Sequence, residues 1–329
     1  MTLMTIPIVD ISPYWSNSEA GKQTVAHQID EACREIGFLI IRGHNIPQAL
    51  TESVDEVSRA FFDLPLPEKM QVVRPAPDVT RGYIPIEGES VARSRGTCSP
   101  GDLNESFMVG PVDAGTSPYY TDPSAGKHFA PNLWPAQPKE LREVYTAYFR
   151  AMSELAEVLM SLFALALGQP ETFFADKIDK HISRLRVRNY PAPAEPPQPG
   201  QLRAGAHCDY GSLTILKIED KPGGLQACNQ AGQWLDVPVV PDCFVVNLGE
   251  LMARWTNDHW VSTLHRVVNP PRELASESRR QSLVFFHNPN YDAVIECIPS
   301  CQDPDHPPRY PVTTSGEHLR SQFVRTQTS

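Results

Sequence analysis

Leu185-Arg186-Val187-Arg188-Asn189-Tyr190 opens a series of seven short apolar segments that decides the fold. The others are Leu213-Thr214-Ile215-Leu216, Gly224-Leu225-Gln226-Ala227, Trp234-Leu235-Asp236-Val237, Cys243-Phe244-Val245-Val246-Asn247, His265-Arg266-Val267-Val268 and Ser282-Leu283-Val284-Phe285-Phe286. Each has the length and β-branched or aromatic content of a strand, and Gly, Pro, Asn and Asp turns separate them. Many short strands at near-regular spacing predict a sandwich or barrel, so a jelly roll is expected at about 181–290.

The chain before this series alternates strand and helix. Ile6-Pro7-Ile8-Val9-Asp10 reads as a strand, and Val25, Ile29, Cys33 and Ile36 recur at helical spacing from about Ser18 until Gly37. Phe38-Leu39-Ile40-Ile41 reads as a buried strand, and Pro47 can start a helix through about Phe62. The Gly-, Pro-, Ser- and Asp-rich stretch from about Ala76 to Asn132 predicts loops, some over a site. A long helix is expected from Pro138 to Leu167, with Val144, Tyr148, Ala151, Leu155, Val158, Leu162 and Leu165 on one face and Gly168 as its stop. Thr314 and Glu317 have capping-box spacing ahead of Leu319 and Phe323, predicting a short C-terminal helix that serves as a reversible lid. The expected division is an N-terminal α/β region with the spine helix (1–180), the β core (181–290) and a C-terminal extension (291–329), integrated into one fold. The fold class is α+β with a mainly β core flanked by helices.

Composition narrows the function. The 329 residues carry 29 Lys and Arg against 39 Asp and Glu, a formal charge of −10, which disfavours nucleic acid or an anionic membrane as partner. No apolar run is long enough to span a bilayer, and the N-terminus lacks the basic start and apolar stretch of a signal peptide. Seven scattered cysteines without a CxxC pair suit free thiols in a reducing compartment, so a cytoplasmic protein, acting as a monomer, is expected.

His207-Cys208-Asp209 has a strand-like context, in which residues i and i+2 share a face. Alone, this pair reads equally as an ordinary hydrogen-bonded couple. A histidine on a neighbouring strand would complete two imidazoles and one carboxylate around a metal with adjacent positions open, the arrangement used by non-haem Fe(II) oxygenases. His265 and His259 compete for that place. His265 is preferred, because Ser262–Val268 reads as strand and Asn257-Asp258-His259 as turn. Arg280 and Ser282 again stand at i and i+2, leading into Val284 and Phe286. A guanidinium fork and a hydroxyl facing an apolar barrel would hold a carboxylate, although a surface arginine fits that stretch as well. Tyr190 offers a further hydrogen bond or a barrel wall. Arg93 and Arg95 are candidate contacts for an acidic substrate, and Phe286, Leu216 and Leu225 for an apolar wall.

These residues resemble those of the Fe(II)- and 2-oxoglutarate-dependent dioxygenases of the isopenicillin N synthase-like group. The resemblance runs in order through Ile6–Asp10, Gly37-Phe38, His44–Pro47, Arg81-Gly82-Tyr83 and Asp102–Phe107. It continues through His207–Asp209, Gly223–Gln226, Trp234–Pro238, Val246–Glu250, Ser262–Val267 and Arg280–Ser282. It implies a double-stranded β-helix of the jelly-roll, cupin-like type. It implies iron on His207, Asp209 and His265, and 2-oxoglutarate on Arg280 and Ser282 with help from Tyr190. The implied reaction couples oxidative decarboxylation of 2-oxoglutarate by O2 to hydroxylation, desaturation or cyclisation of a small metabolite. Two departures stand out: Arg188 replaces an asparagine that plant members often carry two residues before the tyrosine, and the segment between His265 and Arg280 is longer than in several relatives. The group's ring-closing oxidase uses no oxo acid and remains an alternative. A zinc hydrolase or a cupin-like metal sensor are alternatives of another class, although no HExxH spacing accompanies the histidines.

Overall fold

The computed structural model describes residues 5–16, 18–96, 99–193 and 195–327, without the side chains of Ser94 and residues 323–327. Cys98, one of the seven cysteines, and the side chain of Phe323 lie outside the described residues. Fourteen strands are formed by the described residues: β1 (Ile8–Asp10), β2 (Phe38–Arg42), β3 (Gly82–Ile84), β4 (Glu105–Val109), β5 (Arg184–Tyr190), β6 (Ala204–His207) and β7 (Leu213–Ile218), followed by β8 (Leu225–Cys228), β9 (Trp234–Asp236), β10 (Phe244–Leu248), β11 (His265–Val267), β12 (Arg280–His287), β13 (Val294–Ile295) and β14 (Thr313–Thr314).

The strands β5 to β12 divide between two sheets, giving the jelly roll. The larger sheet runs β1-β2-β10-β7-β12-β5-β4-β3 and the smaller β6-β11-β8-β9. Strands from the N-terminal part therefore extend the larger sheet at both edges, β1 and β2 beside β10, β4 and β3 beside β5. Every pairing in it is antiparallel except β1 with β2.

The larger sheet is buried on both faces, and side-chain alternation sorts its residues. Leu39, Ile41, Leu185, Val187, Ile215, Val246, Leu283 and Phe285 pack with the helices in one core. Phe38, Ile40, Tyr190, Leu216, Val245 and Val284 turn the other way, toward the small sheet. The strands consequently read as continuous apolar runs rather than alternating ones.

Helices cover the outer face. Glu19–Glu35 is capped by Ser18, whose hydroxyl accepts from the Gly21 N–H at 3.1 Å, and Gln48–Phe62 begins just after Pro47. The spine Leu141–Ala166 packs against both and against β12. Its buried surface is broader than the expected stripe. Tyr148, Leu155, Val158 and Leu162 are buried as expected, but Val144, Ala151 and Leu165 are only partly so, while Tyr145, Met152, Leu159 and Phe163 are fully enclosed. Neighbours on several sides widen the apolar arc beyond one stripe.

The stretch 76–132 is not all loop, contrary to expectation, because it supplies β3 and β4. The polar start of β4 conceals its character in sequence. The Glu105 carboxylate is buried and accepts from Lys69 Nζ at 2.7 Å, Tyr83 Oη at 2.5 Å and Asn189 Nδ2 at 2.8 Å. Tertiary partners satisfy a charge that local pattern would leave in solvent. Strand β11 is also shorter than the expected 262–268, and β6 ends at His207.

At the C-terminus, Ser315–Gln327 is helical and the capping box forms. The Glu317 N–H donates to Thr314 Oγ1 and the Thr314 N–H to Glu317 Oε2, each at 3.2 Å. Leu319 is fully buried beside Ala125, Ile182 and Tyr291.

Gly37 joins the first long helix to β2 at φ +62°, where an added Cβ would stand 2.0 Å from the Val261 carbonyl oxygen. Gly37→Ala should therefore lower stability by about 2–3 kcal/mol in urea unfolding, through left-handed backbone strain plus a backbone clash.

Candidate active site

The smaller sheet brings two histidines face to face. In the β11–β6 pairing His265 stands directly opposite His207, with ring centroids 4.3 Å apart. His207 Nδ1 lies 2.8 Å from the Gly205 carbonyl and His265 Nδ1 3.0 Å from the Thr263 carbonyl. A carbonyl can only accept, so each Nδ1 carries the proton and each Nε2 keeps its lone pair for a metal.

Asp209 lies beyond the end of β6, not within a strand as expected, and two polar residues of the larger sheet fix it. Thr214 Oγ1 and Asn247 Nδ2 donate to Asp209 Oδ2 at 2.6 and 2.7 Å, and these two residues are paired neighbours on β7 and β10. Oδ1 remains, 3.9 Å from His207 Nε2 and 3.7 Å from His265 Nε2. Burial would raise the Asp209 pKa, but the two imidazoles and both hydrogen bonds hold it below the usual carboxylate value. Burial, together with His265, pushes His207 down, favouring the neutral form that ligates metals. Among the described residues this is the one group of three or more such side chains able to share an ion. The donor set of two imidazole nitrogens and one carboxylate oxygen suits Fe(II) with adjacent positions left open. His259 is elsewhere, half-exposed, with Nε2 3.5 Å from Asp30 Oδ1.

A cavity lined by His207, Asp209 and His265 extends between the sheets to Arg280, Ser282 and Tyr190. These three face inward with Val284 and Phe286, as the β12–β5 register requires: Arg280 opposes Tyr190, and Ser282 opposes Arg188. Arg280 is 1% exposed, so it is not the surface arginine its neighbours suggest. Its Nη1 donates to the Gly223 carbonyl at 2.9 Å and its guanidinium lies 5.4 Å from the Tyr190 ring centre. Arg280 Nε and Ser282 Oγ are buried without a hydrogen-bond partner. Such groups are costly unless a ligand completes them, and a carboxylate fits both. Leu216, Leu225 and Phe286 line the same space.

A second cavity of about 580 Å³ opens from the other side of His207 and Asp209. Arg93 lines it, as does Phe286; Arg95 is exposed and is not among its lining residues. Sequence reasoning missed the residues that dominate this wall: Arg184, Arg186 and Arg188, with Arg74 and Glu89. The signal was present in Arg184-Leu185-Arg186-Val187-Arg188, where arginine alternates with an apolar residue and must occupy one face of the strand. Asp102 was quoted only within a motif. It anchors the cavity rim by accepting from the Val91 and Gly205 N–H groups, each at 3.0 Å, and burial raises its pKa to about 6. The C-terminal helix packs on the Val91–Arg95 turn, and His318 Nε2 lies 3.1 Å from the carbonyl of Tyr210, which also lines the cavity.

Two family models match: a non-haem dioxygenase N-terminal region (described from morphine synthesis) over residues 6–137 and the 2OG-Fe(II) oxygenase superfamily over 181–289. A 2-oxoglutarate-Fe(II) type oxidoreductase of Emericella nidulans is 34% identical, covering 97% of this chain and 90% of that protein. A homoarginine-6-hydroxylase of Oryza sativa subsp. japonica is 31% identical, covering 95% of each. A full-length Neurospora crassa protein, solved in complex with alpha-KG and thymine, is 30% identical and superposes with a TM-score of 0.83, covering 98% of this chain and 97% of that one. Neighbours solved with alpha-KG align the chain with the members that consume 2-oxoglutarate, rather than with the ring-closing oxidase, a hydrolase or a sensor. Fold, co-substrate chemistry and near-complete alignment agree: the chain belongs to the 2OG-Fe(II) oxygenase superfamily and is an oxidoreductase that uses Fe(II), 2-oxoglutarate and O2.

Proposed function

We propose that His207, Asp209 and His265 hold the Fe(II), that Arg280 and Ser282 hold 2-oxoglutarate against the Tyr190 wall, and that a small metabolite enters through the outer cavity. The observation that carries this reading is the convergence of two Nε2 lone pairs and Asp209 Oδ1 beside two buried, unpartnered donors, Arg280 Nε and Ser282 Oγ. When bound, iron and 2-oxoglutarate would supply C–H oxidation by O2, coupled to oxidative decarboxylation of the oxo acid to succinate and CO2, with one oxygen atom of O2 entering succinate.

The chain's own residues supply placement. The Gly205 and Thr263 carbonyls fix both imidazole tautomers, and Thr214 and Asn247 orient the carboxylate, so the ligands are set before any metal arrives. Arg280 offers buried positive charge to the far carboxylate of the oxo acid. Leu216, Leu225 and Phe286 keep water from the reacting centre. Arg93 is a substrate contact in this reading, and Arg95, which is not among the residues lining the cavity, a weaker candidate. Hydroxylation, desaturation or ring closure would follow from which substrate bond lies nearest the metal.

This reading treats 1–180, 181–290 and 291–329 as parts of one integrated unit acting as a cytoplasmic monomer without nucleic-acid or membrane partners. No helix among the described residues is long and apolar enough to cross a membrane.

Four measurements test the assignment. His207→Ala, Asp209→Ala and His265→Ala should each lose tight Fe(II) binding by metal analysis, whereas His259→Ala should keep it; full iron occupancy in the His265 variant would remove that residue from the set. Anaerobic addition of 2-oxoglutarate to the Fe(II) protein should raise a visible metal-to-ligand charge-transfer band. Arg280→Ala should weaken 2-oxoglutarate binding by about 2–5 kcal/mol, since the distal carboxylate loses its charge-assisted partner. Removing residues from Ser315 onward should uncouple succinate formation from substrate oxidation, because the C-terminal helix packs on the turn at the cavity rim. Unchanged coupling would reject the lid.

A further inference from the structure

The end of the inner cavity that holds Arg280 has a second buried guanidinium behind it. Arg203 immediately precedes β6, the strand that carries His207, and is 2% exposed against 1% for Arg280. Both stand over one aromatic ring, Arg203 at 5.9 Å and Arg280 at 5.4 Å from the Tyr190 ring centre. Their anchors are consecutive in the chain. Arg203 Nη1 donates to the Pro222 carbonyl at 3.0 Å, and Arg280 Nη1 donates to the Gly223 carbonyl at 2.9 Å. Gly223 has φ +81°, and an added Cβ would stand 3.0 Å from Arg203 Nη1 and 2.9 Å from the Val268 carbonyl oxygen, so the turn needs glycine to come this close.

The other arm of Arg203 reaches two further loops. Its Nη2 donates to the Ser278 carbonyl at 2.7 Å, to Ser278 Oγ at 2.8 Å and to the Pro191 carbonyl at 3.3 Å. Ser278 lies two residues before Arg280, and Pro191 directly follows Tyr190. One guanidinium therefore ties together the segments that present Tyr190, Arg280 and the carbonyl on which Arg280 rests.

Every acceptor of Arg203 is neutral, and neither Arg203 nor Arg280 forms an ion pair among the described residues. The carboxylate whose field reaches Arg280 is Glu219, which is engaged by Arg59 at 2.6 Å and by the Gln281 N–H at 2.8 Å. Burial lowers the Arg203 pKa and the neighbouring Arg280 lowers it further, to about 10, so Arg203 stays charged near neutrality. Two like charges held out of water repel each other, and a ligand carboxylate between them and the metal relieves that cost. Arg203 is not among the residues lining the inner cavity, so it acts from behind Tyr190 rather than by contact.

We propose that Arg203 is a positioning residue for the co-substrate: it fixes the loops that aim Arg280 and adds a second positive charge behind Tyr190, making the subsite selective for a 2-oxo acid with a second carboxylate. This rests on the oxygenase reading above and assigns that site a residue outside its cavity lining.

The test titrates the full-length Fe(II) protein anaerobically with 2-oxoglutarate and, separately, with 2-oxovalerate, in which a methyl group replaces the distal carboxylate. The charge-transfer band reads both affinities, while iron occupancy and thermal unfolding report on the fold. Arg203→Gln should weaken 2-oxoglutarate binding by about tenfold, the effect of one nearby buried charge, and 2-oxovalerate binding by less than about threefold. Arg203→Lys keeps the charge but cannot span three loops, and it should recover part of the 2-oxoglutarate affinity. A purely structural tie gives another pattern, in which both oxo acids weaken alike and lysine serves no better than glutamine. That pattern, or unchanged 2-oxoglutarate binding in Arg203→Gln, would overturn the proposal and leave the oxygenase reading standing. Where the Arg203 variants do not fold, Ser278→Ala decides, because it removes one Arg203 partner outside the cavity lining. It should weaken 2-oxoglutarate by about threefold with 2-oxovalerate little changed, and an unchanged 2-oxoglutarate affinity overturns the proposal. Absence of the band when the wild-type protein meets 2-oxoglutarate would overturn the oxygenase reading and the role of Arg203 with it.

Discussion

The site depends on one cross-strand register. His265 on β11 faces His207 on β6, and sliding either strand by one residue would turn its imidazole away from the other. That pairing places two imidazoles on the small sheet, yet the Asp209 carboxylate beside them is held from the opposite side, by Thr214 and Asn247 on the large sheet. The three donors converge only while the two sheets remain at a fixed separation. The geometry of this cluster is therefore a property of the whole jelly roll, not of any loop.

What keeps the sheets in place is the double burial of the larger one. Its strands send alternate residues to the helical core and to the barrel, so each strand is clamped on both faces. The spine helix and the helix Glu19–Glu35 supply the outer clamp, and the N-terminal strands extend the sheet beyond both ends of its jelly-roll portion. This explains why the N-terminal third cannot be treated as an accessory. It covers surface the barrel would otherwise expose, and its turn at Val91–Arg95, tied down by Asp102, forms part of the wall facing the metal cluster.

The same alternation that organises packing organises charge. Along β5 the apolar residues Leu185 and Val187 enter the helical core, while Arg184, Arg186 and Arg188 enter the cavity. Along β12 Leu283 and Phe285 do the former, and Arg280, Ser282 and Val284 the latter. Two adjacent antiparallel strands thus line a continuous interior strip that runs from Arg280 and Ser282 to the arginine-lined outer cavity. A residue's function along this strip follows from whether its position is odd or even and from its distance along the strand.

Local pattern was enough to specify the jelly roll, the spine helix and the C-terminal capping box, because these rest on periodicity and turn residues that need no long-range information, and the family resemblance pointed to the three side chains that the fold brings together, His207, Asp209 and His265. Strand and turn propensities over a few residues also favoured His265 over His259, and in the folded chain His265 lies beside His207 and Asp209 while His259 lies beside Asp30. The remainder needed the folded chain. Strands β3 and β4 escaped notice because Glu105 is acceptable in a buried strand only when Lys69, Tyr83 and Asn189, distant in sequence, surround it. The buried state of Arg280 was ambiguous in a run of polar residues until β5 and β7 enclosed β12. The arginine row of the outer cavity was readable as alternation in β5, but the pairing of those arginines was not, because it depends on which carboxylates from other elements arrive. Glu89 and Asp102 do so, and chain folding, not sequence spacing, brings them there.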